Sequence, residues 1–394
     1  MPKNKRPVAR KAAKPSPETK DEQQSTELCA LALELADESA GADIVAAATR
    51  AELEQKHIDF QRLLRRLLAQ GKDEALYGAI ELARDESLDG YRYLRNAVEE
   101  GAANLLLRRD DAPALEIDAF AIPLFVHSQG GLDPAHDFQD GDAYDALLAS
   151  FTAAGLESPH AKVVLVSHAY DAAEVERISY GQLHAMLREA ARSLTEKKIA
   201  AAPALERSLR HGWSPTGFGA EDSAVELRFL VGFALKRADD AFYQVPASEK
   251  AADAYFARRA EAYQKWTEQY APLVARCLGR ARGADPALTL NFQYQDLFFG
   301  ARAQGQSEYH MLRLLSELNQ AIAGHDPARA RAVIAPSDDD EALLVRLSLD
   351  GAELVTAAKP HDPAAELALA LEDLADALSS LGLSDISVSE DPLD

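Results

Sequence analysis

The chain has 394 residues and a mass of 42.7 kDa, enough for two or three domains of ordinary size. Hydrophobic residues make up 47% and charged residues 27% of it, values that exclude wholesale disorder, collagen-like repeats and coiled-coil composition. No run approaches the roughly 18 consecutive apolar residues of a membrane-spanning helix; the longest, Ala119 to Val126, is strand-sized and contains Pro123.

The net charge of -22 is unevenly placed. Residues 1–20 carry seven cations against Glu18, a balance of +6, which leaves -28 on the rest of the chain. A body so acidic repels phosphate backbones over a Debye length of roughly 8 Å. Nucleic acid or anionic lipid is therefore expected, if at all, only at the 1–20 tail. Residues 1–24, with Pro2, Pro7, Pro15 and Pro17, read as a disordered basic tail. The tail's charge is not followed by an apolar core, so it does not read as a secretory signal. Cys29 and Cys277 offer no metal spacing and no disulfide framework. Each sits among apolar neighbours, as a reduced buried thiol does, and a cytoplasmic address is consistent with both.

In chain order, residues 25–110 read as a helical region. Leu53, Phe60, Leu63, Leu64, Leu67 and Leu68 recur at helical spacing, and Gly71 stands where a left-handed cap closes a helix. Further helices are expected near Asp73–Ala83 and Leu88–Leu107. After Arg108, Arg109, Asp110, Asp111 and Pro113 the rhythm turns to strands alternating with helices. A first α/β unit, 111–282, holds strands at Leu115–Val126, Lys162–Ser167 and Val225–Leu235. Its helices are expected at Ala143–Ala154, Ser179–Leu194 and Glu249–Leu278. On the last of these Tyr255, Tyr263, Trp266, Tyr270, Leu273 and Cys277 form an aromatic stripe that reads as a core face. A second α/β unit, 283–394, begins with a strand at Ala287–Phe292 and a helix at Ser307–Ala323. It continues with a strand at Arg331–Ile334. Leu343–Leu349 and Ala352–Thr356 then flank Asp350-Gly351, the pair that a two-residue type I′ hairpin demands. A helix over Ala364–Leu381 and a strand over Asp385–Val388 close the chain. The fold class is α/β to α+β, a helical N-terminal region followed by two α/β units with mixed sheets.

Several constellations carry candidate chemistry. His127-Ser128-Gln129-Gly130-Gly131 follows the apolar strand directly and partly matches the nucleophile elbow of α/β-hydrolases, with Val126 where the elbow needs a small residue. His168 or His325 stands as the base and Asp171 or Asp296 as the orienter. The plainer reading is a strand-to-loop turn. Three His-Asp pairs occur, at His136, His325 and His361. In two of them the Asp precedes a Pro and reads as a helix start. The oxygen-rich loop His136, Asp137, Asp140, Asp142 lacks the spacing of a calcium loop, so no metal is assigned. The Gly212–Gly219 stretch reads as a flexible aromatic connection. No phosphate-binding, dinucleotide-binding or zinc-helix motif is present in the sequence, and no cofactor is assigned. Residues 292–309 are rich in aromatics and amides and poor in charge, which suits a binding surface; Tyr294, Asp296, Arg302 and Gln304 are its candidates.

The runs Ala121 to Ser128, Gly232 to Asp240, Tyr294 to Gly300 and Met311 to Gln320 resemble those of an uncharacterised bacterial family, one of the domains of unknown function, over residues 30 to 390. The resemblance implies a bacterial cytoplasmic protein and carries no functional residue. The expected function is a non-catalytic cytoplasmic interaction protein with a protein partner; the alternative is a serine hydrolase using Ser128, His168 and Asp171. Oligomeric state is not legible.

Overall fold

The computed structural model describes residues 19–40, 47–109, 112–127, 137–138, 140–195, 225–278, 288–339, 341–362 and 365–393. The expected tail over 1–18, the Ser128 turn, His136 and the Gly212–Gly219 loop lie outside the described residues. The chain divides into two compact units, Met1–Leu67 with Lys72–Arg95, and Leu68–Gly71 with Asn96–Asp394.

The first unit is helical. Helix α1 (Lys20–Ala40) starts on a capping box, in which Thr19 N–H donates to Glu22 Oε2 at 2.5 Å and Glu22 N–H to Thr19 Oγ1 at 3.2 Å. Residues 20–24, expected in the tail, are therefore helical, because the Thr-x-x-Glu spacing satisfies the first free amides. Helix α2 (Ala47–Gln70) ends as expected at Gly71, φ 62°, where Gly71 N–H bonds Leu68 O and Lys72 N–H bonds Leu67 O at 3.1 and 3.0 Å. Helices α3 (Asp73–Glu86) and α4 (Leu88–Ala103) follow. Leu28, Ala32, Phe60, Leu64, Leu76, Ala79 and Leu94 are buried here. Ser25 Oγ adds a bond from α1 to Ala75 O at 3.0 Å.

The second unit begins with a correction. Asn104–Leu107, expected at the end of a helix, belongs to strand β1 (Asn104–Arg109), paired antiparallel with β2 (Ala112–His127) from Asn104↔Asp118 onward. Three consecutive leucines fit either period, and strand pairing decides. Strand β4 (Val225–Arg237) lies along β2 from Leu115↔Arg237 to His127↔Val225, with β3 (Lys162–Asp171) beyond it. Strands β5 (Thr289–Phe292) and β6 (Asp296–Leu297) continue the edge that β1 starts. The strand expected to open a second sheet thus completes the first. The reason is geometric: β1 pairs β2 only as far as Asp118, and Leu124–His127 would otherwise be left without a ladder on that side. All pairs in this sheet are antiparallel.

Side chains alternate across β2. Phe120, Ile122, Leu124 and Val126 face α5 (Gly141–Ala153) and the long helix α8 (Glu249–Cys277), packing on Leu147, Phe151, Tyr263, Trp266 and Cys277. Phe151 and Trp266 rings stand 5.3 Å apart, and Trp266 Nε1 donates to Ser150 Oγ at 2.7 Å. The aromatic stripe on α8 is core except at Tyr255. In register with both Phe120 and Leu165 lies Gly232, where a Cβ would stand 2.3 Å from Phe120 Cζ. The opposite face receives α9 (Phe298–Ala321): Gly305 approaches so closely that a Cβ would stand 2.8 Å from Pro123 Cβ. Helices α6 (Ala172–Glu176) and α7 (Tyr180–Thr195) follow β3, and Tyr180 meets Phe299 at 5.1 Å.

Helix α9 starts at Phe298 and not at the expected Ser307, because Phe298, Phe299, Ala301 and Gly305 form one buried stripe that two glycines disguise as loop. Its later residues Leu314, Leu318 and Ile322 pack on the second sheet, β7 (Ala330–Pro336), β8 (Ala342–Leu349), β9 (Ala352–Pro360) and β10 (Asp385–Val388). Its order is β10-β7-β8-β9, with β10 parallel to β7, as the crossover through α10 (Leu367–Ser379) requires. The hairpin turns at Asp350 and Gly351, whose φ values of 51° and 84° are both positive, as type I′ demands. Asp326 caps a 3₁₀ turn led by Pro327. Asp362, read as the start of the last helix, instead precedes it, and Glu366 holds the cap position.

Candidate functional site

Strand β3 is irregular where its chemistry lies. From Leu165↔Gly232 to Ala169↔Leu230 it spends four steps against two on β4. The two additional residues make a bulge, a device that re-aims side chains, and His168 sits in it, 3% exposed. Asp137 forms a bridge to His168, and Phe138 N–H bonds Ser167 O at 2.9 Å. His168 Nδ1 lies 2.9 Å from Asp137 Oδ1, and Nε2 lies 3.3 and 3.2 Å from the two oxygens of Glu174. Both ring nitrogens face carboxylate oxygens, an arrangement in which the ring donates on both sides only when doubly protonated.

Glu174 is itself fixed. Its Oε2 accepts from Asp171 N at 3.0 Å while Asp171 Oδ1 accepts from Glu174 N at 2.8 Å, a reciprocal capping box that starts α6. Asp171, expected as the orienter of His168, thus caps a helix, and it stands 3.9 Å from Arg228 Nη1. Arg228 is 1% exposed on the central strand, with Nη2 3.2 Å from Glu226 Oε2. Burial brings its pKa down to about 10 against the opposing pull of Glu226, Asp171 and Glu174, and the guanidinium remains a cation at neutral pH. The carboxylates of Asp137, Glu174, Asp171 and Glu226 thus surround one imidazole and one guanidinium. Ser128 itself lies outside the described residues, and the imidazole expected as its base is held between the carboxylates of Asp137 and Glu174.

Sequence reasoning missed Glu174, Glu226 and Arg228. Asp171-x-x-Glu174 is a capping-box spacing, and an arginine inside the apolar run Val225–Arg237 is the mark of a buried ion pair; both signals were present. Among the described residues no group of three or more His, Cys, Asp or Glu could hold a metal ion, and no helix is long and apolar enough to cross a membrane. Cys29 and Cys277 are buried and unbridged, and burial pushes the Cys277 thiol up to about 12.

The second group of candidates lies on the edge of the first sheet. Between Phe292↔Leu124 and Asp296↔Ala121 the edge spends four steps against three on β2, so residues 293–295 hold a bulge. It stands opposite Pro123, whose carbonyl accepts from Gln293 N at 2.9 Å. Because a strand residue's N and C=O point to the same side, the missing Pro123 N–H faces this interruption, where a ladder bond is lost anyway. The bulge turns Tyr294 outward, 41% exposed, its ring 5.0 Å from Tyr263, and Leu297 beside it is 40% exposed. Asp296 and Gln304 are exposed, and Arg302 lies over the Phe299 ring at 4.9 Å. Four candidates expected in a loop are thus divided between a strand edge and the first turns of α9. The chain matches no protein-family model, no curated protein and no solved structure.

Proposed function

We propose that this is a cytoplasmic, non-catalytic protein that binds a partner protein through the β5–β6 bulge and the first turns of α9. The observation that supports this reading is the pair Tyr294 and Leu297, large side chains about 40% exposed on a low-charge stretch of a chain carrying -22. Exposed aromatic and aliphatic anchors with a polar rim are what a partner-binding centre needs; Asp296, Arg302 and Gln304 supply the rim. The buried thiols agree with a reducing address.

A photo-crosslinking phenylalanine analogue placed at 294 in cells should yield discrete adducts that disappear when Leu297→Ala and Arg302→Ala are added. The same probe at Tyr77, which is 42% exposed in the first unit, should not yield them. Identical adduct patterns from the two sites, or adducts indifferent to the two substitutions in folded protein, would remove the support for this surface.

A further inference from the structure

Helices α1 and α2 leave a groove of about 460 Å³ between their outward faces. Glu34, late in α1, meets Lys56, early in α2, at 3.0 Å, so the two helices run antiparallel. Counting two turns back from Glu34 and two turns on from Lys56 brings Glu27 level with Leu63. The floor of the groove is apolar: Ala30 is exposed, Leu31 half-buried and Leu63 buried.

Its rims carry opposite charges. Glu27 and Glu34 stand two turns apart on one face of α1, and Arg62 and Arg66 one turn apart on α2. Glu34 is engaged by Lys56, and Arg62 by Asp59 at 2.8 Å. Among the described residues Glu27 and Arg66, both exposed, take part in no ion pair. Each rim thus presents one charge that its own chain does not answer.

We propose that this groove is the interface of a weak homodimer, covered by the same two helices of a second copy. A patch with opposite signs on its two rims is complementary to itself under a two-fold axis. When the axis runs along the groove, α1 of each copy lies over α2 of the other, and each Glu27 comes between Arg62 and Arg66 of the other copy. The floor residues then close on one another as in a four-helix bundle. An axis across the helices would set acid on acid and arginine on arginine, which costs binding energy. Copies that each carry -22 repel one another in general, so their association needs a local match of this kind. A purely cationic segment such as residues 1–18 would meet the two arginines along with the acids, and the mixed rims therefore favour the second copy. Eight residues line the groove, fewer than the roughly 20–30 a side of a stable interface, which makes the dimer a weak one.

Sedimentation equilibrium of the full chain from about 1 to about 500 μM tests this. The mass should rise from 42.7 kDa toward twice that value, with a Kd of about 100 μM or below. Glu27→Arg and Arg66→Glu are changes at exposed helix positions that should leave far-UV circular dichroism unaltered. Each should weaken association at least tenfold, because each sets like charges together at both symmetry-related contacts. Mixed in equal amounts, the two variants should associate as tightly as the wild type, since acid again faces arginine, and the doubly substituted chain should do the same. A monomer throughout the range, reversals without effect, or a mixture of folded variants that stays monomeric overturns the proposal. Removing residues 1–17 should leave the Kd unchanged; dimerisation that appears only in that shortened chain gives the groove to the basic tail and overturns the second copy as its occupant.

Discussion

Replacing Gly305 by alanine tests whether α9 is seated on the first sheet by the lack of a side chain. The new Cβ would stand 2.8 Å from Pro123 Cβ and 3.0 and 3.1 Å from Phe229 Cε1 and Cζ. Neither neighbour can yield: Pro123 is held in β2 in register with Phe229, its carbonyl bonded by Gln293 N–H on the other side, and Phe229 is wholly buried. Overpacking of this kind costs about 1–3 kcal/mol, and two rigid contacts place it near the upper end. Alanine recovers about 1 kcal/mol of helix propensity over glycine, leaving a net loss of about 2 kcal/mol. Gly300→Ala, in the same helix, is the contrast. There the Cβ would meet Asp296 Oδ2 at 2.8 Å, the end of an exposed side chain that can swing away, and the variant should be neutral or up to about 1 kcal/mol more stable. In urea unfolding followed by far-UV circular dichroism, with a slope of about 2–3 kcal/mol per M, Gly305→Ala should lower the midpoint by roughly 0.7–1 M. Equal midpoints for the two variants would refute the close-packing argument.

Two further outcomes are expected. Burial, the largest influence, holds the Glu157 carboxyl above its ordinary range against Tyr243, Arg259, Lys236 and Gln295. A carboxyl raised on folding contributes its stability fully below the unfolded value of about 4.3 and loses it as pH rises through the folded value. Glu157→Gln should therefore melt progressively higher relative to wild type from pH 5 to pH 8, and a difference flat across that window would show that the buried charge is not penalised. Arg228→Met removes the cation facing Glu226 and Asp171 and should cost about 3–5 kcal/mol, part of it regained when Glu226→Leu is added; a loss below about 1 kcal/mol would mean that the pair is not needed to offset those acids.

Elements whose signal is local were legible in the sequence. Gly71 ends α2, Asp350-Gly351 turns the hairpin, and Asp385–Val388 is a strand, because in each case a few adjacent residues decide the backbone. Errors came where a distant partner decides. Leu105–Leu107 is strand because Leu115–Ile117 lies beside it, and Thr289–Phe292 joins the first sheet because Leu124–His127 lacks a neighbour on that side. The start of α9 was hidden by Gly300 and Gly305, which read as loop from composition and prove to be the points of contact with Asp296 and with Pro123 and Phe229. Among candidate residues, His168 was singled out and its holders were not. Asp137 lies 31 positions away, and Glu174 is reached only because the bulge turns the ring toward α6.

The features of chemical interest gather where regular pairing fails, and this follows from the cost of burying polar groups. A residue in a regular strand of the first sheet has its backbone satisfied and its side chain committed to one of two apolar faces, leaving little place for a charge; Arg228 is admitted only with Glu226 and Asp171 beside it. A bulge releases the side chain from that alternation. Two additional residues in β3 deliver His168 to a pair of acids, and one additional residue opposite Pro123 delivers Tyr294 to solvent and Gln295 to Glu157. The same Glu157 is held by Tyr243, on the short turn that follows β4. Period-two reading of a sequence sees the strands and is blind to insertions within them, so the positions it misplaces are the ones that a bulge has freed to do something other than pack.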